Sequence, residues 1–129
     1  MWKKREDTEI VTYLGKSTEF KGHLSFEGTI RIDGHLEGDI GSRGTLIVGE
    51  GAYITGEIKV GTLINQGEIV GNVIAENKIK LLPSGQLKGD IKTPLLIIEE
   101  GAVFDGRSEI IKKVEDEKII RLERKEKEG

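Results

Sequence analysis

Leu36-Glu37-Gly38-Asp39-Ile40 carries the pattern on which the fold rests: a large aliphatic residue, any residue, glycine, any residue, and a second aliphatic residue. Upstream the phrase reads Phe20-Lys21-Gly22-His23-Leu24. Downstream it returns as Ile54-Thr55-Gly56-Glu57-Ile58, Ile69-Val70-Gly71-Asn72-Val73, Leu87-Lys88-Gly89-Asp90-Ile91 and Phe104-Asp105-Gly106-Arg107-Ser108. Successive glycines are 16, 18, 15, 18 and 17 residues apart, a mean close to 17. In an alternating strand the glycine would share the side of its two aliphatic flanks. This predicts that it faces a narrow interior at a bend, where only a missing side chain fits or only glycine reaches the angles.

A second phrase runs in register with the first. Short β-prone runs end in corners at Ile30-Arg31-Ile32-Asp33-Gly34, Leu46-Ile47-Val48-Gly49-Glu50-Gly51 and Leu63-Ile64-Asn65-Gln66-Gly67. Two more follow, Ile79-Lys80-Leu81-Leu82-Pro83-Ser84-Gly85 and Leu96-Ile97-Ile98-Glu99-Glu100-Gly101. The closing glycines step by 17, 16, 18 and 16 residues. A unit of this length is too short for a helical-hairpin repeat. Its Ile, Leu, Val and Thr content with period-2 alternation reads as strand. Three short strands and three corners make one coil of a triangular parallel β-helix, and coils stack about 4.8 Å apart. The expectation is an all-β solenoid of about six coils, a rod roughly 29 Å long.

Composition agrees. The 129 residues suit one domain, with 18 glycines and only 5% aromatics. Lys plus Arg number 20 against 23 for Asp plus Glu, a net charge of -3, so no basic footprint for nucleic acid exists. With no cysteine, disulfides and thiolate metal sites are excluded. No apolar run approaches the roughly 20 residues of a membrane span, and the basic start lacks the apolar core of a secretory signal. The expected location is cytoplasmic.

The chain divides into an N-terminal tail (1–8), a β-helix (9–110) and a charged C-terminal tail (111–129), with both termini expected to be flexible. The start, Met1-Trp2-Lys3-Lys4-Arg5, sets the only Trp beside three cations. Trp favours the bilayer interface and basic residues favour anionic leaflets. A weak peptide gains avidity when many copies sit on one polymer. These five residues are the membrane-binding candidates; a functionless start with a chance Trp is the alternative. Val114, Ile119, Ile120 and Leu122 lie in a Lys/Glu/Arg-rich end that reads as a solvated tail.

Catalytic readings are poor. His23 and His35 lie 12 residues apart, less than one coil, and a three-histidine zinc site is impossible with two histidines. A hexapeptide-repeat acyltransferase shares the triangular solenoid, but its 18-residue coil conflicts with the wandering steps here. Glu37, Asp39, Glu57 and Asp90 share their strip with Asn72, Lys88 and Arg107, which reads as a solvated face rather than a catalytic pair. Thr29, Thr45 and Thr62 form a partial column that Lys78 and Leu95 interrupt, unlike the unbroken Thr ladder of an ice-binding solenoid. What remains are the rod's two ends, where strand edges are open. All three Phe fall in terminal coils. The polymerisation candidates are Leu14, Phe20 and Phe26 at one end and Ile98, Val103 and Phe104 at the other.

Gly28-Thr29-Ile30-Arg31-Ile32-Asp33-Gly34, Leu36-Glu37-Gly38-Asp39-Ile40, Gly67-Glu68-Ile69-Val70-Gly71-Asn72-Val73 and Ile98-Glu99-Glu100-Gly101-Ala102-Val103-Phe104-Asp105-Gly106 together resemble the bactofilins, polymer-forming bacterial cytoskeletal proteins. The resemblance spans about Glu9 to Ile110. It implies a right-handed β-helix, a non-enzymatic homopolymer with no cofactor, and filaments that are non-polar and need no nucleotide. It also implies cytoplasmic scaffolds, often peripheral on the inner face of the cytoplasmic membrane, that position cell-wall or other client proteins. Trp2 occupies the aromatic slot of the membrane-targeting peptide of many members. The Pro-rich flanks usual in the family are missing, since Pro83 and Pro94 are the only prolines. An acyltransferase-like solenoid and a monomeric module capped by its C-terminal tail remain as alternatives.

Overall fold

A computed structural model describes residues 11–112. In chain order the strands are β1 (Val11–Leu14), β2 (Glu19–Ser25), β3 (Thr29–Ile32), β4 (His35–Gly41), β5 (Thr45–Val48) and β6 (Tyr53–Asn65). They continue as β7 (Glu68–Leu81), β8 (Gln86–Lys88), β9 (Ile91–Thr93), β10 (Leu96–Ile98), β11 (Val103–Asp105) and β12 (Ser108–Ile110). Every pairing among them is parallel, and each residue meets one 15 to 18 positions further along. The result is the expected parallel β-solenoid of about six turns, with no helix among the described residues.

Three faces run along the rod. Face A stacks β1, β3, β5, the last part of β6, the last part of β7, and β10. Face B begins with Glu19–Lys21 and ends with β11; face C begins with His23–Ser25 and ends with β12. The glycines at 22, 38, 56, 71, 89 and 106 form the edge between faces B and C.

This glycine edge corrects one expectation. All six have φ between 133° and 156°, a region L side chains rarely adopt. The Cβ each of them lacks would not enter the interior. From Gly38 onward it would overlap the carbonyl oxygen of the glycine one coil earlier. Glycine is therefore required by both conformation and axial stacking. Gly22 differs, because a Cβ there meets nothing within 4 Å: no described coil precedes it.

The second glycine ladder proves to be two sites. Gly34, Ala52, Gly67, Gly85 and Ala102 share one column, since the amides of Tyr53, Glu68, Gln86 and Val103 donate to the carbonyls of Gly34, Ala52, Gly67 and Gly85 in turn. Gly51 and Gly101 stand one residue earlier, in four-residue corners closed by Ala52 N–H to Gly49 O (3.1 Å) and Ala102 N–H to Glu99 O (3.0 Å). Their φ values of 89° and 96° are those of the third residue of a type II turn. Ser84 takes the same position at φ 81°, after Pro83 at the favoured second position. Corners of unequal length, together with a register shift between Val60 and Thr62, make the repeat wander.

The interior is aliphatic. Leu36, Ile54, Ile69 and Leu87 stack in one column at 0–1% exposure, as do Ile30, Leu46, Leu63 and Ile79 in another. Burying each such side chain contributes roughly 1.5–3 kcal/mol. Asn65 interrupts the column of Ile32, Val48 and Leu81. It is held by Gly67 N–H donating to Oδ1 (2.9 Å) and by Nδ2 donating to Gln86 O (3.1 Å).

Candidate functional site: the open ends of the rod

Among the described residues, the first coil has a neighbour on one side only. Leu14, Phe20, Leu24 and Phe26 turn inward from its three sides and pack, partly buried, against the core. Phe20 lies over Leu36 and Leu24 over Ile40. Among the described residues nothing covers their other side. The three polymerisation candidates at this end, Leu14, Phe20 and Phe26, thus share one surface, and Leu24 belongs with them.

A polar clamp holds the first coil to the second. Tyr13 Oη donates to Asp33 Oδ2 at 2.6 Å, and Arg31 Nε donates to the same oxygen at 3.2 Å. Asp33 is only 8% exposed. Burial alone would raise its carboxyl, but the Tyr13 and Arg31 hydrogen bonds and the Arg31 and Lys16 charges outweigh that and hold it below its ordinary value. Tyr13 is raised in return, first by that hydrogen bond. Asp33 Oδ1 is buried with no hydrogen-bond partner and faces Gly49, where a Cβ would overlap it.

At the opposite end, Phe104 lies over Leu87, and Leu96 over Ile79, both partly buried. Ile98 continues the inward column of Leu81, yet is 46% exposed because no described coil follows. Ile110, over the buried Thr93, is 58% exposed for the same reason. Sequence reasoning missed Ile110, which stands where the aliphatic pattern gives way to the charged tail. Val103, by contrast, lies on the outer side of face B in the column of Tyr53, Glu68 and Gln86, at the rim rather than on the end surface. The membrane-binding candidates Met1, Trp2, Lys3, Lys4 and Arg5 lie outside the described residues, as does the C-terminal segment from residue 113.

The sides carry no assembled chemistry among the described residues. His23 stands on face C beside Ser25 Oγ (3.1 Å), while His35 on face B meets the Tyr53 ring edge-on at 6.0 Å. Several outward carboxylates are paired with neighbours, as in Arg107–Asp90 (3.7 Å) and Lys88–Glu68 (3.8 Å), and Glu57 accepts from Asn72 at 3.2 Å. No cluster of three or more His, Asp or Glu could hold a metal ion, and no helix is long and apolar enough to cross a membrane, among the described residues.

Comparison with known proteins agrees with this geometry. The bactofilin family profile, described as polymer-forming cytoskeletal, matches residues 12–109. Bactofilin BacP of Myxococcus xanthus (strain DK1622) is 33% identical over 96 residues, which cover 74% of this chain but only 40% of BacP. BacO of the same organism is 28% identical over 105 residues, 81% of this chain and 83% of BacO. The bactofilin of Thermus thermophilus, solved as double helical filaments, superposes with a TM-score of 0.74 at 34% identity, covering 78% of this chain and 99% of that one. The cytoskeletal bactofilin BacA gives a TM-score of 0.73 at 29% identity, covering 80% and 98%. A solenoid whose described residues end in two apolar surfaces, and a family match over residues 12–109, place this chain among the bactofilins, the polymer-forming cytoskeletal proteins.

Proposed function

We propose that this chain assembles end to end into nucleotide-independent filaments, and that these serve as a scaffold at the cytoplasmic membrane. The observation that carries the reading is the pair of half-covered apolar surfaces, Leu14, Phe20, Leu24 and Phe26 at one end and Leu96, Ile98, Phe104 and Ile110 at the other. Each is bordered by strand edges able to continue the ladder into another molecule. The related Thermus protein forms filaments, which supports the same behaviour here. Burying a Phe contributes roughly 1.5–3 kcal/mol, so placing a charge at position 104 sets that gain against the desolvation of an unpaired cation.

Negative-stain microscopy of the purified protein, with no nucleotide added, tests the reading. Thin filaments are expected for the parent chain and dispersed short rods for Phe104→Arg, with unchanged circular dichroism. Normal filaments from Phe104→Arg would remove this end from the junction.

Membrane attachment is assigned to Met1, Trp2, Lys3, Lys4 and Arg5, whose single Trp and three cations suit an anionic interface. Filaments are expected to float with anionic liposomes, and removal of these five residues to abolish it. Equal flotation would contradict the assignment. In this role the polymer positions client proteins, such as those of cell-wall synthesis, and so contributes to cell shape or protein localisation.

A further inference from the structure

The three faces of the rod are chemically unequal. The outward strand positions of face B hold Glu19, Glu37, Glu68 and Asp105 against Lys21 and Lys88, a balance of -2. Face C, with Asp90 and Arg107 at its margin, holds Asp39, Glu57, Glu76, Asp90 and Glu109 against Lys59, Lys92 and Arg107, a balance of -2. Face A holds no carboxylate at its described outward positions. It carries Arg31, Lys78 and Lys80, a balance of +3, alongside Ile47, Ile64 and Ile97. The corners on either side add Lys16, Arg43 and Lys112 against Glu27, Asp33, Glu50, Glu99 and Glu100, with Asp33 paired to Arg31 (3.2 Å) and Glu99 to Lys80 (3.6 Å), which leaves a balance of +1 centred on the flat of face A. The chain also enters the rod here: residues 1–10 join at Val11, the start of β1 on face A.

We infer that face A is the side of the filament that lies against an anionic bilayer, its isoleucines in the headgroup layer and Arg31, Lys78 and Lys80 beside lipid phosphates. The inference rests on the membrane reading above and adds which way the rod is turned. An anionic surface repels faces B and C and attracts A, and a polymer presents the same stripe once per subunit, so weak contacts add. A second copy docking the same face would confront its cations with the same cations. The bilayer supplies the opposite charge.

The chain lacks cysteine, so one substitution gives one labelling site. Ile64→Cys on face A, Val70→Cys on face B and Ile74→Cys on face C would each carry an environment-sensitive dye in full-length filaments. These are mixed with phosphatidylcholine vesicles with and without phosphatidylglycerol, and flotation is read on the same samples. The expected result is a blue shift and a several-fold rise in emission at position 64 alone, only with the anionic vesicles. A further variant, Ile47→Glu with Ile64→Glu, is expected to weaken flotation several-fold while filaments persist. Filaments that float without a change at 64, or with an equal change at 70 or 74, overturn the face assignment and leave the membrane reading intact. Filaments that do not float overturn both. A shift at 64 without vesicles identifies a second copy as the occupant and overturns the inference.

Discussion

The glycine edge predicts that one substitution has different costs at different coils. Gly56→Ala places a methyl group on the carbonyl oxygen of Gly38, at a backbone φ of 141°. The left-handed conformation costs about 1–3 kcal/mol for a residue with a Cβ. Relieving the overlap opens the corner and sacrifices one or two ladder hydrogen bonds, at about 1 kcal/mol each. The sum is about 2–5 kcal/mol, a large share of the roughly 5–15 kcal/mol that stabilises a typical domain. Gly22→Ala has nearly the same φ, 133°, but its methyl group meets nothing within 4 Å, so only the conformational cost of about 1–3 kcal/mol applies. Urea unfolding followed by circular dichroism measures both. It should be run in the Phe104→Arg background, so that polymerisation does not add stability by mass action. Equal losses at the two positions would refute the axial-stacking argument and leave strain alone. In the otherwise unaltered chain the Gly22 methyl group points off the open end, so Gly22→Ala is also expected to shorten filaments.

Two further predictions concern the corners. Ser84 is the one described non-glycine residue with positive φ, and Gly51 and Gly101 fill the equivalent place in other coils. Ser84→Gly should therefore raise stability by about 1 kcal/mol, the left-handed penalty of roughly 1–2 kcal/mol less the chain entropy glycine adds, visible as a higher urea midpoint. Asp33 titrates below its ordinary value of 3.8, so its contribution is present above that pH and is lost as pH falls through its lowered value in the folded rod. Asp33→Asn should then flatten the acid limb of a stability-versus-pH profile below about pH 4. An unchanged acid limb would contradict the clamp.

The sequence made the solenoid legible because its first glycine ladder reports a severe constraint, positive φ combined with axial overlap, once in every coil. The second ladder was less transparent. Gly34 and Gly51 look equivalent in the sequence, but only the hydrogen bonds reveal that Gly51 belongs to a longer corner whose stacking position is Ala52. The ends were partly legible, since Phe20, Phe26 and Phe104 stand out in a chain poor in aromatics. Alternation could not decide between the adjacent apolar residues Val103 and Phe104; the register with Gln86 and Leu87 does. Tyr13 and Asp33 are 20 residues apart and meet only because consecutive coils stack, so no local pattern announces their bond. The unequal charge of the three faces likewise emerges only when residues about 17 apart are read down the columns.

The most direct test of end-to-end stacking is the diffraction of oriented filaments. If the rods continue one another's ladders, the pattern must show a strong axial spacing near 4.8 Å. The subunit repeat must be roughly 29 Å for six coils, or about twice that if neighbouring rods alternate in direction. A 4.8 Å spacing lying across the filament axis, or a repeat set by the width of the rod, would contradict the account.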